Sequence, residues 1–157
     1  MVPLCQVPRR NHTGKALCGT DGATQSSIYS SNSQRQLADL GITHLVDFIE
    51  YKEDEKIPEF KQQHQNYTHI PLNPDVPVVL DFDQIGQTLD SIIGEGKTLL
   101  YCRDGESISP AFAVGYLMFK VGLNVQMATL KVCQAISRVE LSKMIYTQLL
   151  VYQPKKK

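Results

Sequence analysis

Leu99-Leu100-Tyr101-Cys102-Arg103-Asp104-Gly105-Glu106-Ser107-Ile108-Ser109-Pro110 is the stretch whose reading decides the fold. Lys97 to Cys102 (KTLLYC) is a short, nearly continuous apolar run, the composition of a buried central strand. A polar loop follows, then an apolar segment from Pro110 to Val121. Pro110 suits the first turn of a helix, and Ser109 is available to cap it. A strand thus delivers a cysteine into a loop that ends at a helix N-terminus. Such a loop suits anions, because its amides can point inward and the helix end adds partial positive charge. The same field favours the thiolate of Cys102.

Working outward, the chain alternates strand-like and helix-like stretches. Ser33 to Leu40 reads as a short helix stopped by Gly41, and Ile42 to Phe48 (ITHLVDF) as a strand. Ile57 to Gln65 is polar and helical in pattern, and Tyr67 to Leu72 (YTHIPL) is a second strand. After Pro74 and Pro77, the residues Phe82, Ile85, Leu89, Ile92 and Ile93 recur at helical spacing, ended by Gly94 and Gly96. Two amphipathic stretches, Val125 to Ser137 and Leu141 to Tyr152, complete the chain. The pattern predicts an α/β class with a central, partly parallel sheet flanked by helices. Residues 1–27 are rich in Gly, Thr, Ser and Asn without an apolar period, and read as a flexible arm before a domain over residues 28–153. Residues 154–157 form a basic tail.

Composition narrows the function. Among 157 residues, 42% are apolar and 20% charged, which suits one soluble domain with a single core. Sixteen basic residues balance sixteen acidic ones, so no global field attracts nucleic acid or an anionic membrane. No apolar run approaches the roughly 18–20 residues that span a bilayer, and Met1 to Thr20 lacks the apolar stretch of a secretory signal. Cys5, Cys18, Cys102 and Cys133 form no CxxC pair, so zinc is not expected and reduced thiols in the cytosol or nucleus are.

The cysteine loop resembles that of the dual-specificity phosphatases, whose signature is His-Cys-x5-Arg-Ser between strand and helix. Tyr101-Cys102, Gly105, Ser107 and Ser109 stand in register, followed by Gly115-Tyr116-Leu117-Met118. The resemblance runs from Ile28 to Tyr152. It includes Gly41-Ile42-Thr43-His44-Leu45, Tyr67-Thr68-His69-Ile70-Pro71-Leu72 and Gln148-Leu149-Leu150-Val151-Tyr152. It implies a phosphatase-like fold, no metal or organic cofactor, and Cys102 as the vestige of a nucleophile.

Departures from the family pattern argue against catalysis. Ile108 stands where the signature arginine would grip phosphate with a planar, permanently charged fork. Losing such a contact costs on the order of a thousandfold in rate. Tyr101 replaces the histidine. Asp104 and Glu106 bring carboxylates to a place that must accept about two negative charges, and they oppose the thiolate. Arg103 offsets one of them from a position that does not match the gripping residue. The general-acid aspartate aligns with Pro74, leaving Asp75 one residue late. Leu141-Ser142 replaces the Pro-Asn pair that buttresses the loop.

The expectation is an inactive, phosphatase-like protein that regulates phosphorylation signalling by binding proteins, among them phosphoproteins such as kinases or their substrates. It resembles the phosphoserine/threonine/tyrosine-interaction pseudophosphatases, although those keep the arginine and lose the cysteine. One alternative is a weakly active phosphatase using Cys102. Another is a sulfurtransferase, because Cys102-Arg103-Asp104-Gly105 also resembles the Cys-Arg-x-Gly loop of rhodanese-like enzymes.

Overall fold

The computed structural model describes residues 7–8, 15–20, 35, 37–39, 41–54, 66–73, 75–93, 97–103, 106–136 and 139–154. Its centre is a sheet in the order β1-β2-β5-β3-β4. The strands are β1 (Val7–Pro8), β2 (Lys15–Thr20), β3 (His44–Ile49), β4 (Tyr67–Leu72) and β5 (Lys97–Cys102). β2, β5, β3 and β4 run parallel, while β1 pairs antiparallel with β2. The expected arm over residues 1–27 is thereby corrected at Val7–Pro8 and Lys15–Thr20, which are sheet strands. A strand beside β5 is held by its own amides and carbonyls, so the brief run Ala16-Leu17-Cys18 suffices without a longer apolar period. The remainder of residues 1–27, the expected helix over 57–65, Gly94, Gly96 and the tail lysines 155–157 lie outside the described residues.

Among the described residues, helix α1 (Phe82–Ile93) lies between β4 and β5, and α2 (Ile108–Val121), α3 (Val125–Ala135) and α4 (Lys143–Val151) follow β5. Local chemistry starts and stops them. The Asp81 carboxylate accepts from the Gln84 amide at 3.0 Å, and the Asn124 side chain accepts from Met127 at 2.9 Å. Gly122 ends α2 in the left-handed region at φ 73°, its amide donating to the Met118 carbonyl. Residues 37–39 are helical, and Gly41 follows at φ 68°.

Strand alternation divides the apolar residues between the two faces of the sheet. One face sends Val46, Phe48, Leu100 and Cys102 into a large core shared with all four helices. α2 is buried at every position from Ile108 to Met118, which makes it the central helix of that layer. Phe112 stacks on Phe48 with centroids 4.3 Å apart, and Gly115 lets α2 approach Phe82 and Leu149. The other face gathers Ile42, Leu45, Ile49, Leu99 and Tyr101, with Leu37, Tyr51 and Tyr67 against them. Among the described residues, no helix is long and apolar enough to cross a membrane.

Candidate functional site

A cavity of about 500 Å³ opens where the parallel strands end at their carboxyl termini, the edge of an α/β sheet at which ligands commonly bind. β3 and the residues after it supply Phe48, Ile49, Glu50 and Lys52. The end of β4 supplies Leu72, Asn73 and Asp75, and the loop into α2 supplies Arg103, Ser107 and Ile108. Of the residues expected to carry chemistry, Asp75, Arg103, Ser107 and Ile108 thus converge with three polar ones that the sequence does not single out: Glu50, Lys52 and Asn73. Their only signal was position, since each lies within a few residues of the C-terminal end of a predicted strand.

Cys102 is the last residue of β5 and is only 1% exposed. Its thiol donates to Ser109 Oγ at 3.1 Å, and the Ser109 amide donates back to the sulfur at 3.3 Å. Ser109 itself is fully buried. This corrects the expected cap, because Ser109 lies inside the first turn of α2 and turns its hydroxyl to the cysteine. Ser107 is the N-cap residue instead, and its side chain makes no capping bond. Cys102 is not among the described residues that line the cavity.

Ile108, the first residue of α2, is 6% exposed and belongs to both the core and the cavity wall. An aliphatic side chain therefore stands at the mouth of the helix, where an anion would need a donor. Arg103 lines the same cavity, and its Nη2 donates to the Glu50 carbonyl at 3.2 Å, across the loop to the end of β3. Asp75 reaches the rim of the cavity, with its amide bonded to Asn73 Oδ1 at 2.9 Å. Among the described lining residues formal charge balances, Lys52 and Arg103 giving two positive charges and Glu50 and Asp75 two negative. Pro74, Asp104 and Gly105 lie outside the described residues. Leu141-Ser142 stands where the family's buttressing Pro-Asn pair was expected to be replaced, and one residue earlier the Glu140 amide donates to the Glu106 carbonyl at 2.9 Å. Ser142 precedes α4 without a side-chain cap.

Tyr101, in the position of the family's histidine, is 4% exposed and sits with Leu45, Ile49 and Leu99 on the opposite face of the sheet. That face also holds a polar knot. The buried Asp47 carboxylate accepts from the Ile49 amide and from the hydroxyls of Tyr51 and Tyr67 at 2.9, 2.8 and 2.9 Å. Burial, and then the charge and hydrogen bond of Asp47, hold the Tyr67 hydroxyl protonated well above the usual tyrosine range. His69 Nε2 donates to the Ile49 carbonyl at 2.7 Å. No group of three His, Cys, Asp or Glu residues that could hold a metal is found among the described residues.

Solved structures share this architecture. The chain is similar to human DUSP28, with 22% identity and a TM-score of 0.64 over 94% of this chain and 90% of that one. It is also similar to human tyrosine phosphatase-like serine/threonine/tyrosine-interacting protein, with 22% identity and a TM-score of 0.68 over 85% of this chain and 87% of that one. No curated protein matches at a significant level. A model of the dual specificity phosphatase catalytic domain matches residues 25–155, and the chain belongs to that family.

Proposed function

We propose that this phosphatase-family domain is catalytically inactive and regulates phosphorylation signalling in the cytosol or nucleus by binding proteins. The observation that carries the reading is Ile108. It occupies the first turn of α2 at the cavity wall, in the position of the signature arginine. Phosphoryl transfer is catalysed almost wholly by positioning and charge stabilisation, and an aliphatic side chain supplies neither. Arg103 stands five residues before the signature position, and one of its guanidinium donors is engaged by the Glu50 carbonyl. The proteins it would bind belong to phosphorylation signalling, kinases or their substrates among them.

A weak phosphatase using Cys102 is the second reading. It draws on Asp75 at the cavity rim and on the clasp between Cys102 and Ser109. The sulfurtransferase alternative gains no support from the phosphatase family match. Hydrolysis of an aryl phosphate by wild type, Cys102→Ser and Ile108→Arg decides between the first two. The expected result is background turnover in all three, because restoring one cation leaves Tyr101 and the loop carboxylates in place. Turnover by wild type that disappears in Cys102→Ser would establish the weak enzyme.

A further inference from the structure

We propose that the cavity receives an unphosphorylated tyrosine side chain of a partner protein and discriminates against the phosphorylated form. This rests on the inactive, protein-binding reading above and names the chemistry of the partner. A phosphotyrosine brings about −1.5 to −2 charge and three strong acceptor oxygens, which need several converging donors and a net positive wall. The described lining offers two cations against two carboxylates, Lys52 and Arg103 against Glu50 and Asp75. One of the cations is turned to the Glu50 carbonyl. At the start of α2, where inward donors would serve an oxyanion, the wall is the butyl side chain of Ile108, continued by Leu72. Desolvating a dianion against these groups is unfavourable.

A tyrosine meets the same wall well. Its ring is an apolar body for Ile108 and Leu72, and its hydroxyl is one tip that both donates and accepts. Asn73 and Ser107 lie on the same wall, and the carboxylates of Glu50 and Asp75 can accept from a phenol without any change of charge. The cavity, about 500 Å³, is larger than one ring and has room for the backbone on either side.

A separate observation points to a protein segment rather than a free small molecule. Directly after Asp75, Val76, Val78 and Val79 are 48%, 42% and 94% exposed, an apolar strip that leads away from the cavity rim. The strip is tied down by the Val76 amide, which donates to the Asn73 carbonyl at 3.3 Å, and by one side chain from α4. Gln148 Nε2 donates to the Val78 carbonyl at 2.7 Å, and its Oε1 accepts from the Leu80 amide at 2.8 Å. A presented row of valines on a fixed backbone suits the apolar residues that flank a tyrosine in a peptide.

The test uses the full chain and two degenerate nonapeptide pools, identical except for a central tyrosine or phosphotyrosine. Immobilised pools are probed with wild type, Ile108→Arg and Val79→Asp, and phosphate release from the phosphotyrosine pool is recorded in parallel for these and for Cys102→Ser. The expected result is that wild type binds the tyrosine pool about tenfold or more over the phosphotyrosine pool. Val79→Asp, a change at a nearly fully exposed position, weakens capture of the tyrosine pool several-fold. Ile108→Arg shifts the ratio toward phosphotyrosine. Equal capture, a phosphotyrosine preference, or no capture of either pool by wild type overturns the inference. Phosphate release that depends on Cys102 overturns the inactive reading instead, so the two failures are told apart. Should Ile108→Arg fold poorly, wild type and Val79→Asp still decide.

Discussion

On one face of the sheet, Leu100 and Cys102 look into a core that four helices share. On the other, Leu99 and Tyr101 look into a small cluster closed by a carboxylate and two tyrosine hydroxyls. The first face is held by packed apolar volume, the second by polar groups that have little room to be left unpaired. The difference bears on function because Tyr101 and Cys102 are neighbours in sequence yet belong to different environments. The change at the family's histidine position acts within the small cluster, whereas the change to Ile108 acts at the cavity. Ile108 itself packs into the large core, so an aliphatic side chain at the cavity wall also contributes to the scaffold.

Five experiments test this contrast, the largest expected effect first. Phe112→Ala removes the ring stacked on Phe48 and lying against Phe82. In a dense core it should cost about 3–5 kcal/mol by urea denaturation. A loss below that of any small-face variant would remove the ranking of the two faces. Asp47→Ala leaves the hydroxyls of Tyr51 and Tyr67 and the Ile49 amide without their acceptor. The expected loss is about 2–3 kcal/mol.

Alkaline titration probes the same knot. The native state keeps the Tyr67 proton that the unfolded chain releases above about pH 10. The stabilisation is therefore complete below that pH and is lost progressively above it, as pH rises toward the raised native value. The fall in Tm above about pH 10 should be shallower in Tyr67→Phe; an unchanged slope would remove Tyr67 from the account.

At the site, Ser109→Ala deletes the hydroxyl that accepts the Cys102 thiol but leaves the amide bond to the sulfur. About 1 kcal/mol is expected, since one neutral hydrogen bond is lost. The smallest effect belongs to Tyr101→His. Placed on the face away from Cys102, a histidine alone should leave aryl phosphate turnover at the wild-type background. A gain in turnover would show that the small face controls the cysteine after all.

Much of the frame was legible beforehand. Phe82 to Ile93 and Lys97 to Cys102 have the bounds that their periodicity implied, and Tyr67 to Leu72 likewise. These patterns are local, set by how a helix or a strand presents successive side chains. β2 escaped because a strand can be recruited through backbone groups, which carry no side-chain signature. Ser109 was misassigned for a related reason. A serine near a proline can cap a helix or turn inward, and only the neighbouring thiol makes the second choice favourable.

By itself, the sequence determined that a buried strand carries a cysteine into a loop before an apolar helix, and that isoleucine stands where the signature needs arginine. Tertiary structure alone decided what surrounds that loop. Glu50, Lys52 and Asn73 come to the cavity from the ends of other strands, and Arg103 is drawn to a carbonyl of β3's extension. Local dihedral preferences act over a few residues, whereas a cavity wall is assembled by strand order and packing between segments distant in the chain. The balance of charge among its described residues is a property of that assembly and of no single stretch.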